Sequence, residues 1–258
     1  GGGSLEHFSV VGATKGVLIQ DTQATLRDVV LTQQFVETQA LDDTDTSITI
    51  EDSMIENLTG AIAVTVTDSA SLVMRRSIIR DIEETQQEVN GALVSFGGIA
   101  LHVSKQATAT LEDVQIEDSG TGIILGNPQD ASWRATLNAN RVVMDNINVG
   151  LLVGSYVTVE ASDLVFSQVG MASLDAVNAN INGERWFSRV APDAYTSFYV
   201  NNSSVSLTDV DVAGGMLGMG FAGSSSLNLS RALVSYNAGS GIDLIGPDLS
   251  ASLSDISV

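Results

Sequence analysis

One eight-residue phrase recurs along the chain, and no other feature restricts the fold as strongly. It reads apolar-x-apolar-x-(Asp/Arg)-apolar-x-apolar and occurs nine times. We call the central charged residue of each copy the anchor; the nine anchors are Asp28, Asp52, Arg76, Asp113, Arg141, Asp163, Asp209, Arg231 and Asp255. Most anchors are about 22–24 residues apart, and insertions lengthen three or four of the intervals. A repeat of this length indicates a solenoid in which each repeat forms one coil.

The columns of the stacked repeats predict β-strands. Positions four and two residues before the anchor are apolar, as in Ile48 and Ile50, and the residues between them are mostly polar. This alternation is typical of a strand with one buried face. After the anchor the apolar positions come one and three residues later, so the inward phase slips by one residue. In a continuing strand, such a slip would move the apolar residues to the outer face. We therefore expect the chain to bend at the anchor and to begin a second strand there.

A third short strand precedes these two in most coils. It begins at a glycine, as at Gly60 and Gly122, and glycine suits the tight turn that this position requires. Three short strands in a coil of 22–24 residues resemble the right-handed parallel β-helix of the pectate-lyase-like superfamily. The resemblance covers nearly the whole chain and implies one all-β domain over residues 1–258, with about nine to ten coils. It is a resemblance of architecture, and the superfamily includes lyases, hydrolases, phage tailspikes and adhesins, so it does not specify a function.

Composition favours an extracellular or cell-surface protein. The chain has 31 acidic and 11 basic residues and a formal net charge of -20. Such a surface repels nucleic acid and anionic membranes, so we expect neither as a partner. The sequence contains no apolar run that could insert into a membrane. It begins without methionine and ends before its last coil is complete, and we expect it to be a piece of a longer protein.

Three segments depart from the repeat and are predicted to form excursions, near residues 81–97, 127–134 and 170–196. Insertions in solenoids project from one side and commonly form the binding surface. The third segment falls within a 46-residue interval between two anchors. Residues 164–208 therefore have two interpretations, as one coil with an excursion or as two coils of which one matches the repeat poorly.

Five residues of these excursions are candidates for ligand binding. They are Trp133 in the second excursion and Arg185, Trp186, Asp193 and Tyr195 in the third. Aromatic rings beside charged side chains can stack on sugar rings while the polar groups bind hydroxyls, which predicts a carbohydrate ligand. The alternative is that the rings cover the outside of the solenoid, because aromatic residues in loops pack more often than they bind.

A run of acidic residues offers a candidate metal site. Asp42, Asp43 and Asp45 lie within four consecutive positions, and carboxylate oxygens are the ligands that Ca²⁺ prefers. No flanking glycine or distal glutamate completes a known calcium loop, so a solvated acidic turn is the alternative. Calcium is the one cofactor that the sequence suggests, since the chain has no cysteine for a thiolate site.

The anchor column brings opposite charges next to each other. The anchors Asp52, Arg76, Asp113, Arg141 and Asp163 alternate in sign from coil to coil. Neighbouring positions of a parallel ladder are about 5 Å apart, where opposite charges stabilise and like charges destabilise. Ion pairs of this kind neutralise the carboxylates, so we predict structural ladders and assign no catalytic residue to the anchors.

The position two residues after the anchor points outward, yet it is apolar in most coils. Its residues include Val30, Met54, Ile78, Val143, Val165 and Leu233. A row of outward apolar side chains over several coils indicates a covered face. We therefore predict that this column packs against an inserted loop, another domain or a second chain, the last giving a homo-oligomer.

The sequence lacks the motifs of known enzymes with this architecture. Its two histidines, His7 and His102, do not lie in the Gly-His-Gly setting of polygalacturonase-like glycosidases. The preferred interpretation is a non-catalytic secreted or cell-surface module that binds carbohydrate or a protein. Two alternatives stay open: a polysaccharide lyase or glycoside hydrolase that acts beside the 170–196 excursion, and a fragment of a self-associating tailspike-like or adhesin-like assembly.

Overall fold

The computed structural model describes residues 2–11, 16–39, 46–89, 92–127 and 133–258, without the side chains of residues 87–96. These residues form β-strands joined by turns, and no α-helix occurs among them. They build a parallel β-solenoid of about ten turns, which confirms the predicted fold class. The described part of the chain accordingly contains no helix that is long and apolar enough to cross a membrane.

The described residues contain twenty-one strands, which form the solenoid and one hairpin. In chain order they are β1 (Gly3–Val11), β2 (Val17–Gln20), β3 (Gln23–Thr32), β4 (Val36–Gln39), β5 (Ser47–Glu51), β6 (Met54–Thr59), β7 (Ile62–Thr67), β8 (Ser71–Arg75), β9 (Ile78–Val89), β10 (Ala92–Gly97), β11 (Ile99–Val103), β12 (Thr108–Leu125), β13 (Thr136–Val153), β14 (Thr158–Val177), β15 (Asn180–Val190), β16 (Thr196–Asn201), β17 (Ser204–Ala213), β18 (Leu217–Ala222), β19 (Ser226–Ser235), β20 (Ile242–Ile245) and β21 (Ser250–Ser257). The longest strands continue around corners, so that β12, β13 and β14 each run over all three sides of a coil.

Each coil has three faces separated by three corners. We call the strand segment before the anchor face A, the segment after it face B, and the third segment face C. All nine predicted anchors have φ between 47° and 57°, the left-handed region, which confirms the predicted bend. A second corner lies five residues after the anchor, between faces B and C, and a third lies seven or eight residues before the anchor, between faces C and A. Asn57 and Asp118 exemplify the second corner and Asn178 and Asn202 the third, all with positive φ.

Two further coils were missed by the sequence pattern. His7 has φ 54° and lies opposite Asp28 in the pairing of β1 with β3, so it occupies an anchor position. Arg185 has φ 57°, and its strand β15 pairs with β14 on one side and with β17 on the other. The 46-residue interval therefore contains a complete extra coil. This corrects the prediction of an excursion at 170–196.

The extra coil was hidden because two of its inward positions break the apolar rule. Gly183 stands two residues before the anchor Arg185, and Ser188 stands three residues after it. Trp186 compensates, because its indole fills the volume that a side chain at 183 would take: a Cβ there would lie 2.6 Å from Trp186 Cε2. The ring packs edge-on against Phe166 and Phe198, with centroid distances of 6.2 and 5.8 Å.

The segment near 81–97 contains an antiparallel hairpin formed by β9 and β10. All other strand pairs of the described residues are parallel. The hairpin leaves the solenoid just past the second corner, after Glu83, which still pairs with Thr59, and the chain returns to face C at Ile99. In the segment near 127–134, residues 128–132 lie outside the described residues.

The outward apolar column on face B is continuous over several coils. Val30, Met54 and Ile78 are in register on neighbouring strands, as are Val143 and Val165. The extra coil adds Phe187, which is in register with Val165 and is 40% exposed. Gln115 and Asp211 interrupt the column. Packing of this face against another domain or a second chain stays a prediction.

Candidate functional site

The anchor corner is a ladder of ion pairs between neighbouring coils, as the alternation of sign predicted. Each arginine of the column contacts the aspartate of the preceding coil, in the pairs Asp52–Arg76 (2.7 Å), Asp113–Arg141 (2.5 Å), Asp163–Arg185 (2.6 Å) and Asp209–Arg231 (2.5 Å). His7 Nδ1 lies 2.7 Å from Asp28 Oδ2 at one end. Hydrogen bonds from the arginines hold the pKa of each of the four aspartates below its ordinary value. These carboxylates are ionised and paired with arginines, as the predicted structural ladder requires; that none of them is catalytic stays a prediction.

Two of the predicted ligand residues, Arg185 and Trp186, have structural roles in the extra coil. Trp186 is 1% exposed and donates from Nε1 to the backbone oxygen of Ala161 at 3.0 Å. Its ring therefore lies inside the solenoid, which corrects both the prediction that it binds sugar and the alternative that it covers the outside. Arg185 belongs to the ladder through Asp163. The tryptophan was misplaced because the extra coil was taken for a loop.

The other predicted ligand residues lie on the surface at separate places. Asp193 and Tyr195 are in the turn between β15 and β16, at the second corner, where Tyr195 is 64% exposed. Trp133 is partly exposed near the third corner and lies against His102 of face C, with ring centroids 6.5 Å apart. Burial lowers the pKa of the His102 imidazole, which favours a neutral ring beneath the indole. The five predicted residues thus do not converge on one site.

The predicted calcium site falls on residues that the structure does not describe. Asp42, Asp43 and Asp45 all lie in the range 40–45, outside the described residues. Within the described ranges, no group of three or more histidine and carboxylate side chains is arranged to hold a metal ion. Calcium binding by the three aspartates stays a prediction.

An acidic groove lies at the second corner, beside the base of the β9–β10 hairpin. It has a volume of about 520 Å³, and we define it by the carboxylates Asp81, Glu83, Glu84 and Asp118 together with the amides Asn146 and Asn148. Asp81, Asp118 and Asn146 occupy the corner itself in successive coils, with φ of 56°, 50° and 51°. Aspartate and asparagine tolerate this left-handed conformation better than most residues, which explains why polar side chains line this edge.

The carboxylates of the acidic groove are not neutralised as those of the anchors are. Among the residues that the structure describes, the cation in contact with them is Arg80, whose Nε lies 3.6 Å from Asp81, but its guanidinium makes its shorter contacts, at 2.7 and 2.9 Å, with Glu56. Asp118 accepts a hydrogen bond of 2.5 Å from Asn146 Nδ2. Because Arg80–Glu117 and Ile82–Ser119 are paired in register, Asp81 and Asp118 are one ladder step apart, about 4.8 Å.

Two glycines allow Glu84 to lean over this groove. A Cβ added to Gly120 would lie 2.5 Å from Glu84 Oε1, and one added to Gly98 would lie 2.5 Å from Glu84 Cγ. The glutamate therefore passes across backbone that carries no side chain and reaches the strand that follows Asp118. The sequence predicted an excursion near 81–97, which includes Glu83 and Glu84, but it could not show that the next coil brings Asp118 and Gly120 beside them.

Comparison with known proteins supports the fold. Neither a known protein family nor a curated protein sequence matches the chain. Among solved structures, the catalytic unit of a GH87 α-1,3-glucanase from Streptomyces thermodiastaticus strain HF3-3 aligns with 99% of this chain and 60% of its own, at 11% identity and a TM-score of 0.52. A GH136 lacto-N-biosidase from Eubacterium ramulus aligns with 93% of this chain and 62% of its own, at 12% identity and a TM-score of 0.40.

The chain thus spans less than two thirds of the length of the solved structures that it matches. At this level of identity the α-1,3-glucanase shows that the β-solenoid architecture is shared, and nothing finer.

Proposed function

We propose that the protein is a glycoside hydrolase that cleaves a polysaccharide in the acidic groove. One observation carries the proposal: the groove gathers four carboxylates whose single cationic contact within the described ranges is Arg80 at 3.6 Å, whereas four of the anchor aspartates are held by arginines at 2.5–2.7 Å. Unneutralised acids in a cleft are what glycoside hydrolysis requires. The architecture shared with the catalytic unit of an α-1,3-glucanase is compatible with this activity.

The positions of the two aspartates suggest how the pair would act. Their backbones are one ladder step of about 4.8 Å apart, and side chains on neighbouring coils can bring their carboxyl groups to the separation of about 5–5.5 Å that retaining glycosidases use. Asp118, which accepts a hydrogen bond from the amide of Asn146, is the proposed nucleophile. Asp81 is the proposed acid and base, and Glu84 is placed to bind substrate hydroxyls. Products with retained anomeric configuration are therefore expected.

The test is a screen of neutral and acidic polysaccharides for new reducing ends and for unsaturated products, with and without calcium. On any substrate that is cleaved, Asp118→Asn and Asp81→Asn should each lower kcat by at least about 100-fold, the usual contribution of such groups. Asp113→Asn is the matched control, because Asp113 lies five residues from Asp118 but is bound by Arg141. Equal losses in Asp113→Asn and Asp118→Asn, or unsaturated products, would refute the assignment.

A non-catalytic carbohydrate-binding module is the second candidate. Partly exposed aromatic side chains favour it: Trp133 lies on His102 at one edge of face C, and Tyr195 is exposed at the other. Such rings can stack on sugars without any cleavage. Absence of reducing ends across the panel, together with binding that Trp133→Ala weakens, would favour this candidate. With either function, a carbohydrate partner and a location outside the cell are part of the proposal.

A further inference from the structure

A second groove runs along the third corner, at the opposite edge of face C from the acidic groove. Its volume is about 650 Å³. One wall is the corner row Tyr156, Asn178 and Asn202, and the other is the row Thr136, Thr158 and Asn180 at the start of face A. The floor consists of the buried residues Ala135, Val157 and Ala179, and Arg134 stands at one end. We call this the corner groove; over its four coils it is about 14 Å long.

Arg134 differs from every other arginine of the chain. The other arginines each contact a carboxylate at 3.3 Å or less. Within the ranges that the structure describes, Arg134 forms no ion pair, although the protein carries 31 acidic residues. The described lining of the corner groove contains no carboxylate. An unpaired guanidinium in a groove without acids can take its anion from a ligand.

Tyr156 is the second unusual residue of this groove. Its φ is 60° and it is 56% exposed, whereas the same corner in the next two coils is formed by Asn178 and Asn202, with φ of 52° and 49°. A bulky aromatic residue rarely adopts this conformation, and asparagine adopts it readily. Strained residues that persist on the surface are characteristic of ligand sites. Tyr156 lines the groove together with Arg134 and the amides, where an aromatic ring can stack on a sugar.

We propose that the corner groove binds an anionic saccharide. The guanidinium of Arg134 would bind the ligand's carboxylate or sulfate through two parallel N–H donors, the geometry in which arginine is strongest. Tyr156 stacks on the sugar ring, and the amides of Asn178, Asn180 and Asn202 bind its hydroxyls. The net charge of -20 repels anions over the rest of the surface, so binding should be confined to this groove. The inference does not depend on hydrolysis in the acidic groove.

The test is isothermal titration of three kinds of trisaccharide: those that carry uronic acid, the methyl esters of the same sugars, and sulfated trisaccharides. It is carried out in the Asp118→Asn background at about 0.15 M salt, so that cleavage does not occur and long-range repulsion is screened. We expect at least one anionic trisaccharide to bind, and its neutral ester to bind at least about 10-fold more weakly. Whether the uronic acid or the sulfated sugar binds identifies the anion.

Variants distinguish binding in the corner groove from the effect of the protein's net charge. Arg134→Gln should weaken binding about 10- to 100-fold, because it removes a charge-assisted pair of hydrogen bonds. Arg231→Gln changes the net charge equally at a distant ion pair and should leave the affinity within about twofold. Tyr156→Asn introduces the residue that forms this corner in the next two coils, so it should weaken binding without lowering the melting temperature.

Three results would overturn the proposal. They are no binding of any anionic trisaccharide, equal binding of the uronic acid sugars and their esters, and equal weakening by Arg134→Gln and Arg231→Gln. None of them bears on the acidic groove, whose own test is the release of reducing ends from polysaccharide.

Discussion

Trp186→Ala should destabilise the protein strongly, and this outcome separates a core position from a binding position. The indole is 1% exposed, packs against Phe166 and Phe198, and donates to the backbone oxygen of Ala161. Its removal leaves a cavity that the neighbourhood cannot fill, because Gly183 and Ala161 contribute little or no side chain on that side. A ligand residue on a loop would show the opposite result, with lost binding and an unchanged melt.

The expected magnitude follows from burial. Truncating a buried tryptophan to alanine costs about 3–5 kcal/mol. The oxygen of Ala161 also loses a side-chain donor, worth about 1 kcal/mol. The upper part of that range, about 4–5 kcal/mol, is therefore expected for the free energy of unfolding. For a chain of 258 residues this lowers the melting temperature by about 8–10 °C, measurable by calorimetry or by circular dichroism in the β region.

Two variants show whether the register is right. Phe187→Ala is the matched control, since the neighbouring ring is 40% exposed and lies beneath the guanidinium of Arg189, whose Cζ is 3.9 Å from the ring centroid. It should change the melting temperature by little. Adding Gly183→Leu to Trp186→Ala should recover more than half of the loss, because the coil around Arg231 uses leucine and alanine at the same two positions. A wild-type melt for Trp186→Ala together with a large loss for Phe187→Ala would mean that the strand is displaced by one residue.

Two further predictions concern charges. Arg76→Glu would place like charges beside both Asp52 and Asp113, so its melting temperature should fall below wild type by more at about 0.01 M salt than at about 1 M salt; equal differences would exclude the ladder as the cause. Asp175 lies half-buried on face C, and burial raises the pKa of its carboxyl above the ordinary 3.8. The protonated form is the one that folding favours, so stability is lost as the pH rises through the raised pKa. Asp175→Asn should therefore melt higher than wild type at neutral pH, and the difference should close as the pH falls toward 3.8. A constant difference across this range would contradict the burial of the charge.

Some features of the repeat could be predicted from the sequence, and others could not. The bend at the anchors and the ion pairs between them follow from local rules, since a slip of one residue in an alternating pattern requires a corner and a ladder favours alternating charge. The coil around Arg185 was not predicted because two of its inward residues, Gly183 and Ser188, are not the large apolar residues of the repeat. A single large side chain, Trp186, fills the space that two smaller ones fill elsewhere.

The acidic groove shows why a site is harder to predict than a fold. Asp81 and Asp118 are 37 residues apart in sequence, and they become neighbours because the hairpin between them adds length without adding a coil. Glu84 reaches the same groove because Gly98 and Gly120 carry no side chains. The predicted ligand residues do not lie together, because residues that are close in sequence can lie on different sides of a coil.

The periodic part of this protein can be predicted from its sequence: the parallel solenoid, the inward columns, the corner at each anchor and the pairing of charges along it. These properties recur from coil to coil, so the interactions between neighbouring coils can be predicted from residues about 22–24 positions apart. Where the period fails, the contacts between side chains are visible in the folded protein alone. There the insertion at 81–97 brings unneutralised carboxylates together, and the third corner leaves Arg134 without a partner among the described residues. These contacts join residues at irregular separations, and their geometry depends on the coils being stacked first.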